Sequence, residues 1–418
     1  MFFDSIVNFF IGIGLCIMGT FMIILPNRIF SLILFFSVIA SLFNSVYLLF
    51  RFMKYHKKLD LLFSFFSIVF AYFLMYFKFI PQWILRTAFG AYSILCGTAC
   101  LIQVVIDKIN EMKGLFFNFL YAIIYVCFGF YLLLNPNFHT NLLMQAFGIY
   151  FLILGSRYVG DGYESVNPLT KYKWRRKIRI SLPAFVCAII PDVALVRINR
   201  FLENGKPDDL YSFKQVENVR LKVIVHVGKV GFQKVGHICF SFDDIVYSYG
   251  NYDSDSFRWN KTLGDGVFFT VPLEVYIPNM LDTENNSIFE YGIYTTDEQN
   301  KMIQEQIHKL KSRCYRWYCN LEKEVGYDDF KKFEADYPSR LHYRTGAKFY
   351  KIKYGKFHIY WALGDNCASF TDKILGTLGS DVLSVRGIIS PGTYLDWLQK
   401  EYLKMNSPIV FQNIYTKE

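Results

Sequence analysis

Cys367, in the run Gly364-Asp365-Asn366-Cys367-Ala368-Ser369-Phe370, falls where a strand-like segment hands over to a helix. A thiol in the first turn of a helix faces the positive end of the helix dipole. That position lowers a thiol's pKa and, with a base in reach, makes it a nucleophile. The best-placed base is His237, in Val235-Gly236-His237-Ile238-Cys239-Phe240. Attack on an acyl carbonyl also needs a polar group that fixes the imidazole's tautomer, and Ser248, Asn251 and Asp253 are all near enough in sequence to supply it. The backbone N–H of Cys367 and one further donor are expected to hold the oxyanion. His358 is a rival base on the arm leading into Cys367 and is expected to point away, and His226 is weaker still. His237, Cys239 and Cys367 lack any metal-ligand spacing, so no metal and no cofactor are expected. The glycine-bearing loops 248–253 and 264–268 read as ordinary turns rather than phosphate cradles.

The elements that must position these residues begin near Arg220. Runs rich in β-branched and aromatic residues at 221–227, 236–242 and 245–249 read as strands, with Asp243-Asp244 as a turn that brings Ser248 or Tyr249 beside His237. Further strands are expected at 266–271, 288–294 and 348–361. A helix opens at Thr296, whose side chain caps while Gln299 reaches back, and is expected to continue to about Lys323 with Cys314 and Cys319 upon it. A second helix follows Asn366 and ends near Gly376 or Gly379. A third opens at Ser390-Pro391 and carries Tyr394, Leu395, Trp397 and Leu398. Residues 220–418 thus make an α+β domain with an antiparallel sheet, large enough for its own core.

The first part of the chain is of another kind. The 418 residues are 53% hydrophobic and 19% aromatic, with mean hydropathy +0.22, too apolar for one ordinary soluble domain. Six stretches nearly free of charge, at 5–25, 29–50, 61–79, 83–106, 115–134 and 141–155, have lengths suited to crossing a bilayer. The N-terminus Met1-Phe2-Phe3-Asp4 has no basic region, so no cleaved signal peptide is expected. Basic residues follow the second stretch (Arg51, Lys54, Lys57, Lys58), the fourth (Lys108, Lys113) and the sixth (from Lys171 to Arg179). By the positive-inside rule both termini and the α+β domain are cytoplasmic. The net charge of +10 sits beside the membrane, which argues for a lipid bilayer as partner and against nucleic acid. Nine cysteines in no paired spacing suit a reducing compartment. No Asp or Glu is expected mid-membrane, which disfavours transport.

Pro26, Pro81 and Pro136 recur 55 residues apart, each between two apolar stretches. Residues 1–158 therefore read as a membrane all-α six-helix domain of three helical hairpin repeats, with small residues such as Gly12, Gly19, Gly90 and Gly129 permitting close helix approach. Together with Leu132-Leu133-Leu134-Asn135-Pro136, this pattern resembles the HdeD-like family of bacterial membrane proteins over about residues 5–158. Residues 159–219 read as a basic interfacial junction and linker. Within it Ile180 to Val196, interrupted by Pro183 and Pro191, is expected to lie on the lipid surface rather than form a seventh span.

The order of Gly236-His237, then Asn366-Cys367 at a helix start, then a closing helix at Pro391 resembles the circularly permuted papain-like hydrolases of the NlpC type, a group that includes lecithin retinol acyltransferase-like enzymes. The resemblance covers about 221–403 and implies a papain-like fold, with Cys367 as nucleophile and His237 as base. Ser248 falls at the orienting position, which the family commonly fills with His, Asn or Gln. The expected function is a membrane-anchored thiol hydrolase or acyltransferase acting on an amide or ester in a peptide, lipoprotein or lipid. The alternative is a non-catalytic membrane scaffold or stress-response protein whose C-terminal domain binds a partner.

Overall fold

The computed structural model describes residues 2–77, 79–112, 114–135, 140–166, 219–227, 236–284, 287–324, 331–380, 391–402 and 407–416. Pro136, the basic cluster 171–179, the segment 180–196 and most of the 159–219 junction lie outside them. The chain divides into two compact units, Met1–Thr98 with Leu120–Asn167, and Ala99–Phe119 with Pro168–Glu418.

The N-terminal region is a set of apolar helices: α1 (Phe2–Ile24), α2 (Pro26–Tyr55), α3 (Lys58–Tyr76), α4 (Phe79–Ile109), α5 (Leu115–Leu134) and α6 (Thr140–Val166). Pro26 opens α2 at a position whose N–H would be unpaired in any case. Four helical stretches, Pro26–Tyr55, Lys58–Tyr76, Ile80–Ile109 and Leu115–Leu134, are long and apolar enough to cross a membrane, and α1 adds the shorter apolar run Phe9–Ile24. Helix α6 carries Arg157, Asp161 and Glu164 in its last third, which lowers its hydropathy.

Among the described residues the closest helix packing joins partners other than the proline-linked α1 and α2. Helix α1 packs chiefly on α6, and α2 on α3. The α1–α6 contact is backbone against backbone: a Cβ on Gly19 would lie 2.6 Å from the Gly148 carbonyl, and one on Gly12 2.8 Å from that of Gly155. Gly129 meets the Gly90 carbonyl in the same manner at 2.7 Å, joining α4 to α5. Where lipid removes the hydrophobic incentive, such close approach supplies the dispersion contact that holds helices together. Between α2 and α3 the join is polar, Ser45 Oγ to Ser64 Oγ at 2.8 Å in a buried setting.

The second unit contains an eight-stranded antiparallel sheet. In chain order its strands are β1 (Leu221–Val227), β2 (His237–Phe242), β3 (Ile245–Gly250), β5 (Val267–Pro272), β6 (Ser287–Ile293), β7 (Cys314–Trp317), β8 (Lys348–Ile352) and β10 (Ile409–Tyr415). Across the sheet they run β10-β6-β1-β2-β3-β5-β8-β7, while β4 (Leu263–Asp265) and β9 (Ile359–Trp361) form a separate ladder. Alternation along the strands supplies two cores. One face gathers Val223, Val225, Phe240, Tyr249 and Phe289 under α8 (Asp297–Lys311), α11 (Cys367–Leu375) and α12 (Pro391–Tyr402). The other gathers Ile224, Cys239, Phe269 and Phe349 under α7 (Leu273–Asp282) and α10 (Tyr337–Thr345), with the short α9 (Asn320–Lys323) nearby in sequence.

The structure corrects three expectations. The helix from Thr296 keeps its capping box, with Gln299 N to Thr296 Oγ1 at 3.3 Å and Thr296 N to Gln299 Oε1 at 2.9 Å, but ends at Lys311. Cys314–Trp317 then pairs with β8, because aromatic residues with a free sheet edge gain more from a ladder than from another helical turn. Cys314 is thus on a strand, and Cys319 caps α9. The single strand expected at 348–361 is two, in different sheets, since Gly355 and Phe357 take left-handed φ of 81° and 74° and turn the chain between them. The expected helix after Asn366 is present as α11.

Candidate functional site

Cys367 is the first residue of α11, and Asn366 is its cap: Asn366 Oδ1 accepts from Ser369 N at 3.0 Å while Ser369 Oγ accepts from Asn366 N at 2.9 Å. Asn366 Nδ2 also donates to the Ala362 carbonyl at 2.9 Å, tying the helix start to the loop before it. This reciprocal cap fixes the direction in which Cys367 leaves the chain.

The partner surface is built by β2 and β3. Their turn is tight, with Asp243 and Asp244 both at left-handed φ (50° and 57°), as short side chains with local hydrogen-bonding capacity allow. The ladder then runs from Phe242↔Ile245 to Phe240↔Tyr247 and goes no further, although β2 continues to His237 and β3 to Gly250. Beyond that point each strand keeps only its outer neighbour, β1 for β2 and β5 for β3. The backbone N–H of Ile238, the residue after His237, is near enough to Cys367 to favour its thiolate. Gly236, at φ +82°, starts β2; a Cβ there would lie 2.8 Å from the His226 carbonyl.

His237 Nε2 lies 2.8 Å from Ser248 Oγ and 3.4 Å from the Tyr252 hydroxyl, and Ser248 Oγ lies 3.0 Å from that same hydroxyl. Nε2 is therefore committed to Ser248 on the sheet face that His237 shares with Cys239, whereas Cys367 packs on the other face with Ile238 and Phe240, and among the described residues no hydrogen bond joins the thiol to the imidazole. Tyr252 is held in turn by stacking on Tyr337 at 5.4 Å. Of the three candidates for the orienting place, only Ser248 touches the imidazole. Asn251 Nδ2 instead donates to the carbonyls of Lys261 and Leu263, and Asp253 binds Lys351 at 2.6 Å. His358 turns Nδ1 to the Ile352 carbonyl at 2.6 Å.

Two participants, Tyr252 and Tyr276, escaped sequence reasoning, and a third, His226, was weighed there only as a weaker base. Tyr252 was read as part of a glycine loop, and Tyr276 lies on a helix with no sequence signature. His226 packs behind His237 with ring centroids 6.0 Å apart, its Nε2 3.1 Å from Tyr276 Oη and 3.7 Å from Cys239 Sγ. The register pair His226↔His237 in the β1–β2 ladder was the available clue.

Burial governs the electrostatics. Cys367 is 5% exposed. Loss of solvent pushes its thiol up to about 11, although the N–H groups of Ile238, Ala368 and Cys367 itself pull the other way. The expected depression of this thiol by the helix start is thus overturned in the closed site, because desolvation outweighs the dipole. Burial likewise holds His237 down to about 4, and holds His226 down to about 3 with His237 adding to the effect. Thiol and imidazole are each held in the neutral form. Cys239 is raised by burial more strongly still. Among the described residues no group of three His, Cys, Asp or Glu side chains is arranged to hold a metal ion.

A family model described as a short repeat of unknown function (DUF308) matches residues 120–176. The family is a membrane-associated, HdeD-like one, and the described part of the match lies on the apolar helices α5 and α6. No curated protein and no solved structure matches the chain.

Proposed function

We propose that this protein is a membrane-anchored thiol hydrolase or acyltransferase, with Cys367 as nucleophile, His237 as general base and Ser248 as the group that orients it. The observation that carries the reading is the meeting of a capped helix-start thiol with the strand of His237 where β2 and β3 have parted. As sulfur attacks an acyl carbonyl, the S–C bond forms and the thiol proton passes to His237 Nδ1. The N–H groups of Cys367 and Ile238, which favour the thiolate, are the donors assigned to the oxyanion. Collapse returns the proton to the leaving amine or alcohol and leaves a thioester, which water or an acceptor resolves with His237 again taking a proton. The permuted papain-like fold, six membrane crossings and a cytoplasmic face for both termini belong to the same proposal. The crossings and the orientation are supported by the apolar helices, the DUF308 match and the placement of basic residues, whereas the papain-like fold rests only on the order of Gly236-His237 and Asn366-Cys367 in the sequence. A lipid, lipoprotein or membrane-proximal peptide is the substrate class.

The test is acylation of the full-length protein in detergent by an activated ester, read by peptide mass spectrometry. The adduct is expected on Cys367 and lost in His237→Ala. An adduct distributed over Cys239, Cys314 and Cys319, or indifferent to His237, would overturn the assignment. The second reading, a scaffold whose C-terminal domain binds a partner, is favoured by the closure of the site and the neutral pair, and it predicts no adduct at all.

A further inference from the structure

We infer that the groove between α2 and α3 is a binding site for a phospholipid with a primary-amine headgroup. The groove has a volume of about 700 Å³ and is lined by Asn44, Leu48, Arg51, Asp60, Phe63, Phe66, Ser67 and Phe70. Its polarity is graded along the helix axes as a lipid's is. At the end beside the turn between the helices, Arg51 Nη2 pairs with Asp60 Oδ1 at 3.3 Å. Some seven residues deeper, about 10 Å at the helical rise, Asn44 Nδ2 donates to Ser67 Oγ at 3.0 Å. Between and beyond them stand Phe63, Phe66 and Phe70.

The decisive atom is Asp60 Oδ2. The Asp60 side chain is only 8% exposed, and Oδ2 has no hydrogen-bond partner. A half-satisfied buried carboxylate at the end of an apolar helix pair is costly unless a donor completes it. An ammonium group would complete Oδ2 with a charge-assisted hydrogen bond. Arg51, 40% exposed at the same end, would meet the phosphate of the same headgroup. The phenylalanines would take the acyl chain. A positive and a negative side chain presented together at headgroup depth match a zwitterion better than an anionic lipid. The inference rests on α2 and α3 crossing a bilayer and is independent of chemistry at Cys367.

The experiment is native mass spectrometry of the full-length protein in detergent, titrated with dioleoyl phosphatidylethanolamine, phosphatidylcholine or phosphatidylglycerol. The ethanolamine lipid is expected to bind at least about fivefold tighter than the choline lipid, whose trimethylated nitrogen cannot donate. Asp60→Asn should erase that preference, and Arg51→Gln should weaken both zwitterionic lipids. Equal binding of the ethanolamine and choline lipids by the wild type would overturn the site whatever the variants do. Stronger binding of phosphatidylglycerol, unaffected by Asp60→Asn, would do the same by assigning the groove to phosphate alone. Recovery of the protein from the soluble fraction without detergent would instead refute the membrane reading beneath it.

Discussion

A thiol held near 11 and an imidazole held near 4, if the two act together as proposed, make a specific kinetic forecast. The neutral pair is the majority state at every pH between those values, so acylation of Cys367 should be nearly independent of pH from about 5 to 10. In His237→Ala only the thiolate reacts, and the rate should rise about tenfold per pH unit toward 11. A wild-type profile that climbs like the variant's would remove His237 from the mechanism. Ser248→Ala should lower the acylation rate on the order of tenfold to a hundredfold while the chain stays folded, since Nε2 then keeps only the longer contact to Tyr252. Tyr252→Phe should have the smaller effect of the two. At this scale the sequence was readable where a residue announces its backbone: Asn366-Cys367 had to be a capped helix start. It was unreadable where burial decides, because the thiol's surroundings include Tyr249 and Tyr360, whose approach no local spacing encodes.

Helix α11 depends on its cap more than a long helix would, since its nine residues are close to the length of its own nucleation cost. Asn366→Ala should cost about 1 kcal/mol by loss of the cap, read as a lower unfolding midpoint, whereas Asn366→Asp or Asn366→Ser should retain most of it. If the cap also aims the sulfur, the alanine variant's acylation rate should fall by more than its stability loss implies. Elements with a local signal could be read directly, as with the capping box at Thr296 and the Asp243-Asp244 turn. Those defined by partners could not: β7 was mistaken for helix because its identity as a strand rests on β8, and β10 on β6. Pairing of α1 with α6 is the same kind of non-local fact, visible beforehand only as glycines without known partners.

For the molecule as a whole, two neutral histidines packed together, His226 buried and His237 half-buried, tie stability to pH. The unfolded chain protonates both near pH 6.5, whereas the folded unit resists protonation of His237 until about 4 and of His226 until about 3. The unfolded state binds more protons across that window, so stability must rise with pH through it and decline as pH falls below 6.5. Urea unfolding of the full-length protein in detergent should show its midpoint dropping between pH 6.5 and 4, and His226→Asn should flatten the drop. A midpoint insensitive to pH in that range would place the rings in water. Composition made the division between apolar helices and an α+β part evident, because the two solvents select different residues. It could not reveal that β2 and β3 part company. Should sulfur in that parting take up an acyl group, the adduct becomes a wedge driven between two strands. The tolerance of the site for long or branched acyl chains would then be a matter of mechanical compliance, set by how far the sheet can be levered apart before its remaining three rungs give way.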